Sequence, residues 1–282
     1  MARRSVLISP GDQGDKLEGA LSLEADVVVF DLEDGVAPGD KATARETVLD
    51  VLSEVDTATD REVLVRLNPP EAGMSEDIEV LGSLSRDDHP DGFVLPKIDG
   101  SATIEHQRTK LLDAGFDVGL WCLLESPRGV LDAPAIAEAD GVTALIFGGE
   151  DYATAVGGER TKAGLELLYA RQRTVAAAAA AGIDAIDGIT TALTDTERVK
   201  SDAQEAKTFG FDGKLAIHPA QLTPINTAFT PSAEQIEWAR KVVEAAETTD
   251  EGAFRVDDEM IDAPLIKRAR SILETADETV DP

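Results

Sequence analysis

Sulfur and aromatic rings are scarce in this chain. Cys122 is its only cysteine, and Phe, Trp and Tyr together make up 4% of its 282 residues. A single thiol excludes an intrachain disulfide framework. Cys122 lies inside the apolar run Trp121-Cys122-Leu123-Leu124 and reads as a small core residue rather than a nucleophile. Long hydrophobic stretches are also missing, since no run reaches the roughly 20 residues that a membrane-spanning helix needs. The first residues, Met1-Ala2-Arg3-Arg4-Ser5, lead into a strand pattern rather than a secretory apolar segment. The expected location is the cytoplasm, with no membrane partner.

Positive charge is the third shortage. Lys and Arg number 26 against 55 Asp and Glu, a net charge of −29. Phosphate binding needs the opposite sign, so nucleic acid is excluded as a partner. The acids are dispersed and apolar periodicity persists among them, which argues against disorder. Such self-repulsion destabilises a compact state in dilute buffer. It is screened within about 3 Å at 1 M salt, so a halophilic, high-salt cytosol is the expected habitat.

The chain is 43% hydrophobic, and its length suits one α/β barrel or two ordinary domains. Strand patterns fall at Val6–Ile8, Asp26–Asp31, Val63–Leu67, Gly92–Lys97, Asp117–Leu124, Leu145–Phe147, Asp184–Asp187 and Lys214–Pro219. Helical patterns lie among them at Pro38–Leu52, Thr103–Ala114, Lys162–Ala181 and Asp195–Thr208. About eight alternations, ending near residue 219, give an α/β fold. A tail follows: a helix over Pro231–Glu247, a polar loop over Thr248–Gly252, and a last helix after Met260–Ile266 that fades by Ala276. It pads the core, lids the site or covers a neighbouring subunit.

Two apolar strands end in carboxylates. Trp121–Leu124 leads to Glu125, and Leu145–Phe147 leads through Gly148-Gly149-Glu150 to Asp151. They lie roughly one βαβ unit, about 30 residues, apart. In a closed barrel this sets them side by side at the C-terminal rim, where such folds do their chemistry. Two hard oxygen ligands without neighbouring Cys or His suit Mg²⁺ better than zinc. The competing reading makes both acids helix caps.

Other strand ends are also charged. Arg66 offers either a planar fork for carboxylate oxygens or a structural ion pair. Asp31, Glu33 and Asp34 crowd one end and need pairing or solvation, with Arg4 or Lys97 as available answers. Glu33 reads as a residue holding Arg66 or a metal-bound water, or as purely structural. His218 before Pro219 is either a packed strand-end histidine or a general base. Asp262-Ala263-Pro264 has the form of a helix N-cap.

Several motifs occur in a fixed order: Arg4-Ser5-x-Leu7-x-x-Pro10-Gly11, Asp31-Leu32-Glu33-Asp34, Val65-Arg66-Leu67-Asn68, Leu95-Pro96-Lys97, Glu125-Ser126, Phe147-Gly148-x-x-Asp151 and Gly213-Lys214-x-x-Ile217-His218-Pro219-x-Gln221. With Met260-Ile261-Asp262-x-Pro264 they cover almost the whole chain. In this the sequence closely resembles the citrate lyase β-subunit-like family, the HpcH/HpaI aldolase and malyl-CoA lyase group. The resemblance implies a (β/α)₈ TIM barrel, here over 1–222, with a C-terminal helical extension or lid over 223–282. It implies Mg²⁺, or Mn²⁺, held by Glu125 and Asp151, and reversible cleavage of a β-hydroxyacyl-CoA thioester. Arg66 matches the arginine that grips substrate oxygens. Gly149, Glu150 and Asp151 match a loop whose backbone N–H groups face the oxo acid, and Ala216, Ile217 and His218 match a segment along the pantetheine. Asp262 matches a catalytic aspartate supplied, in malyl-CoA lyases, by an adjacent subunit; a homotrimer or homohexamer is implied.

The expected reaction is carbon–carbon lysis of malyl-CoA or β-methylmalyl-CoA to glyoxylate and acetyl- or propionyl-CoA, through an oxo acid held at the metal and a thioester enolate. The alternatives are a citryl-CoA lyase, a malyl-CoA thioesterase or malate synthase, a CoA-independent Mg²⁺ oxo-acid aldolase, and a catalytically silent subunit. The aldolase arises from two departures. Gln13 stands where malyl-CoA lyases have a phosphate-contacting arginine, and Gly19 replaces a lysine, with Lys16 nearby but displaced.

Overall fold

The computed structural model describes residues 2–54, 61–249 and 252–280. Eight strands pair in parallel and in sequence order, and the eighth returns to the first to close a barrel. The chain runs β1 (Ser5–Pro10), α1 (Gly14–Leu21), β2 (Val27–Asp31), α2 (Lys41–Glu54), β3 (Glu62–Arg66), α3 (Met74–Leu81), β4 (Gly92–Leu95) and α4 (Ser101–Asp113). It continues with β5 (Gly119–Leu124), the short α5 (Pro127–Leu131) and α6 (Ala133–Ala137), β6 (Val142–Phe147), α7 (Gly149–Ala155), α8 (Leu168–Ala181), β7 (Asp184–Asp187), α9 (Thr196–Phe209), β8 (Gly213–Ala216) and α10 (Leu222–Phe229). The expected (β/α)₈ TIM barrel is present.

The strands read as unbroken apolar runs because both of their faces are buried. Val27, Val29, Leu64, Trp121, Leu123 and Ile146 fill the barrel interior. Their neighbours Val28, Phe30, Val65, Cys122, Leu145 and Phe147 face outward into the helix layer. Glycines in the left-handed region stop two helices, Gly182 (φ 71°) after α8 and Gly210 (φ 95°) after α9. The start expected at Lys162 moves to a 3₁₀ turn at Leu165–Leu167, because Gly164 (φ 64°) is itself left-handed. The strand expected over Lys214–Pro219 stops at Ala216. His218 there adopts the cap position of a 3₁₀ turn, its Nδ1 accepting the Ala220 N–H at 3.1 Å.

Helix α10 supplies Leu222, Ile225 and Phe229 to the barrel's outer core, and the expected division at residue 222 falls at its first residue. Beyond it, α11 (Ala233–Thr248) begins with a capping box between Ser232 and Gln235. An antiparallel pair, β9 (Phe254–Val256) and β10 (Glu259–Ile261), leads into α12 (Ala263–Val280). Ala239, Val242, Val256, Ile261 and Ala269 make a cluster of their own, separate from both barrel clusters. The expected polar loop over 248–252 lies partly outside the described residues. Among the described residues no helix is long and apolar enough to cross a membrane.

Candidate active site

Parallel strands put all their C-terminal ends on one rim, and four of those ends carry the charged residues singled out above. Asp31 is the last residue of β2 and Arg66 the last of β3, directly paired in register. Glu125 follows β5. Asp151 lies in the first turn of α7, just after β6. A cavity of about 370 Å³ opens here, and Asp31, Asp34, Arg66, Glu125, Glu150 and Asp151 line it above an apolar floor of Ile8, Leu123 and Leu215. Ile217 lines the same cavity, whereas Ala216 is fully buried.

Glu125 is only 5% exposed. Its Oε1 accepts the backbone N–H of Lys97 at 2.7 Å; its other oxygen has no hydrogen-bond partner among the described residues. Burial, joined by the nearby carboxylates of Glu33 and Asp151, pushes the Glu125 carboxyl up to about 8 against the Lys97 N–H and the charge of Arg66. Gly148 leaves the room for it: a Cβ there would stand 2.5 Å from Glu125 Cβ and 3.1 Å from Oε2. Asp151 is exposed to the cavity and pairs with no cation among the described residues. A buried carboxyl and an unpaired one, facing a common space with surplus negative charge, make a pair that a divalent cation relieves. Among the described residues no three Asp, Glu, His or Cys side chains converge as a metal set. Two protein oxygens with the remaining positions left to water and substrate is the pattern Mg²⁺ favours, so the residues present fit the ion.

Arg66 spends most of its fork on protein. Its Nε and one terminal nitrogen donate to Asp31 at 2.7 and 2.6 Å, and the other terminal nitrogen lies 3.0 Å from Glu33. Two of the five guanidinium N–H bonds are hydrogen-bonded to Asp31, whereas the approach to Glu33 is an ion pair alone, since neither Glu33 carboxylate oxygen accepts a hydrogen bond among the described residues. Glu33 is buried and also meets Lys97 Nζ at 3.1 Å. Burial raises its pKa, with Asp34 adding to the shift and Arg66 and Lys97 opposing it. Asp31 accepts the Glu33 and Gly35 N–H groups as well, both at 2.8 Å. Lys97 therefore answers the acidic cluster, as expected, but Arg4 does not. Arg4 precedes β1 at the opposite end of the barrel and pairs there with Asp26 at 2.8 Å.

Three expectations change in detail. Gly149, Glu150 and Asp151 are not a loop but the first turn of α7, closed by the Tyr152 N–H to Gly148 C=O bond at 3.1 Å. Acids in a first turn favour that helix, and its leading N–H groups still lack intrahelical partners. Glu150 pairs with Arg160 at 2.9 Å. His218 uses Nδ1 to cap its own turn, which leaves only Nε2 for other chemistry. Asp262 is exposed and precedes α12, its C=O accepting the Ile266 N–H at 3.0 Å. It does not line the cavity, so within one chain it is not brought to Glu125 and Asp151.

The backbone of Lys97 is the feature no sequence pattern disclosed. It sits at φ 53°, a left-handed conformation uncommon for a residue with a side chain. That conformation serves the site: the Lys97 N–H meets Glu125 while its ammonium meets Glu33.

Comparison with known proteins shows the family to which the barrel belongs. A model of the HpcH/HpaI aldolase/citrate lyase family matches residues 4–219. The chain is 36% identical over 279 residues to a citrate lyase subunit beta-like protein of Deinococcus radiodurans, covering 96% of each. It is 33% identical to mouse mitochondrial citramalyl-CoA lyase, covering 97% of this chain and 86% of that one. The crystal structure of CitE from Mycobacterium tuberculosis, in complex with magnesium, acetoacetate and coenzyme A, superposes with a TM-score of 0.84 at 30% identity over 98% of both chains. Since motif order, barrel topology and near full-length similarity converge, the chain belongs to the HpcH/HpaI aldolase/citrate lyase family of enzymes.

Proposed function

We propose that the protein is a Mg²⁺-dependent carbon–carbon lyase of β-hydroxyacyl-CoA thioesters, acting on malyl-CoA or β-methylmalyl-CoA. The observation that carries this reading is the buried Glu125 carboxyl facing the same cavity as the unpaired Asp151. Mg²⁺ held there supplies Lewis-acid stabilisation of negative charge on the substrate oxygens. Cleavage removes the hydroxyl proton and breaks the bond between the carbinol carbon and the thioester α-carbon. The electron pair passes to the thioester as an enolate, which is protonated to acetyl- or propionyl-CoA as glyoxylate departs. Arg66 orients oxygens with N–H bonds that Asp31 leaves free, and its hydrogen bonds to Asp31 fix its plane. The first-turn N–H groups of Gly149, Glu150 and Asp151 face the oxo acid, and Ile217 and His218 run along the pantetheine, while Ala216, fully buried, takes no part in that contact. Asp262 moves the proton at the α-carbon, carried to the rim by the tail of an adjacent subunit.

One observation favours a second reading, a CoA-independent Mg²⁺ aldolase. Gln13 is neutral and donates to Asp12 at 3.2 Å, Gly19 is exposed with open space around it, and Lys16 is the cation left on α1.

Incubation with Mg²⁺ and glyoxylate, together with acetyl-CoA, propionyl-CoA or free pyruvate, in molar KCl separates these readings. Condensed thioester without free CoA is the expected product. Free malate with CoA would show a thioesterase or synthase, and product from pyruvate alone would show the aldolase. Oxaloacetate in place of glyoxylate tests the citryl alternative. In the same assay Asp262→Asn is expected to lose turnover by about 10²-fold or more, in the range of general acid–base catalysis, with an unchanged Mg²⁺ dissociation constant. A lowered melting temperature at normal turnover would make Asp262 a helix cap instead.

A further inference from the structure

The Gly213-Lys214 motif stands outside the mechanism above, yet it carries the one buried lysine among the described residues. Lys214 points out of β8 between the barrel and its helices. Its side chain is 3% exposed and that of Asp187, at the end of β7, is 5% exposed. Lys214 Nζ donates to Asp187 Oδ2 at 2.8 Å and to the C=O of Gly188 at 2.6 Å. Arg171, from α8, donates to both Asp187 oxygens at 3.0 and 3.1 Å and to Glu205 of α9 at 2.6 Å. Burial favours neutral Asp187, but Lys214 and Arg171 overcome it and hold the carboxyl below its usual range.

Taking such charges out of water costs several kcal/mol per ion, and a well-packed apolar set of the same volume is often at least as stable. The gain from this network is therefore sought in geometry. Gly188 is the point of leverage. A Cβ on it would lie 2.7 Å from the C=O of Phe147 and 3.6 Å from the N–H of Gly149. Phe147 ends β6 and Gly149 opens α7, the helix that bears Asp151. A cavity of about 60 Å³ adjoins Lys214, Asp187 and Gly188 on one side and Phe147, Gly149 and Glu150 on the other.

We infer that Lys214, with Asp187 and Arg171, is a positioning residue: by gripping the Gly188 peptide it seats that turn against the start of α7 and so sets where Asp151 presents its carboxylate. The inference rests on reading Asp151 as a ligand of Mg²⁺. Partners that orient metal ligands typically contribute 10–100-fold to metal affinity.

The test is calorimetric titration of the purified chain with Mg²⁺ alone, in molar KCl, alongside thermal melts. Lys214→Met is expected to weaken Mg²⁺ binding at least tenfold, and Lys214→Arg to restore part of it by keeping a donor for the Gly188 C=O. Ile104→Ala, in the core of α4, lowers the melting temperature through a cavity and is expected to leave Mg²⁺ affinity within twofold. This comparison separates positioning from general loosening. Unchanged affinity in Lys214→Met, or an equal loss in Ile104→Ala, overturns the inference. If Glu125→Gln and Asp151→Asn also bind Mg²⁺ as the parent does, the metal site itself is wrong; if they fail to bind while Lys214→Met binds normally, only the positioning role falls. Should Lys214→Met fail to fold, Gly188→Ala presses on the same contacts from the other side. The same tenfold loss is expected of it, and unchanged affinity there overturns the inference.

Discussion

Glu125→Gln is expected to abolish Mg²⁺ binding and turnover while making the metal-free protein more heat-stable above neutral pH. The amide keeps the shape of the buried side chain and removes the charge the ion requires. The sign of the stability change follows from proton linkage. A carboxyl at about 8 in the folded protein and at its ordinary 4.5 in the unfolded chain holds its proton longer when folded. Metal-free stability therefore falls by about 1.4 kcal/mol per pH unit as pH rises between those two values. Glutamine has no proton to lose, so this fall is absent from the variant. Thermal melts in a chelator at the two ends of the window measure the difference, which is near zero at the acid end and largest at the alkaline end. Adding Mg²⁺ then raises the melting temperature of the parent alone, because only a bound ligand stabilises by mass action. If Mg²⁺ stabilises Glu125→Gln equally, Glu125 is no ligand.

Arg66→Met has the largest expected cost in stability. Asp31 and Glu33 are buried beside it and would lose their principal cation. Breaking a buried pair by removing one partner typically destabilises by 3–5 kcal/mol. Turnover is expected to vanish as well. The double variant Asp31→Asn/Arg66→Met removes one of the two stranded charges and is expected to recover part of the stability, read as a denaturant midpoint, but none of the turnover. A single variant as stable and as active as the parent would reduce the guanidinium to a surface ornament. Recovery of turnover in the double variant would show that Arg66 acts on Asp31 and never on substrate.

Much of the rim was legible because of where polarity interrupts the strands. Glu125 and Asp151 stand out as acids just past long apolar runs, and parallel topology makes such residues neighbours. Gly182 and Gly210 end their helices in the conformation that their lack of a side chain predicts. Helices α1 and α3 are only eight residues long and rich in acids, so their periodicity is too brief to stand out. Gly149 is expected in a loop, yet it opens a helix, and Gly148 before it is required by contact with Glu125. The β9–β10 pair has three-residue strands joined through Asp257 at φ 51°, too short for alternation and lacking the usual Asn-Gly signal. Of the two cations offered for the Asp31–Glu33–Asp34 cluster, Lys97 meets it and Arg4 does not, because a residue before β1 lies on the far side of a parallel barrel from the end of β2. Lys97's backbone could not be inferred at all, since tertiary contact with Glu125 rather than local propensity holds it.

The separate apolar cluster of the C-terminal segment makes it an arm with its own internal cohesion. Elements that share no core can part along their surfaces while each stays folded. Under the proposed reading, lending this arm to a neighbouring copy would disturb no strand of the barrel, so Glu125, Asp151 and Arg66 would keep their spacing. The spacing of those three side chains is thereby a property of the barrel alone.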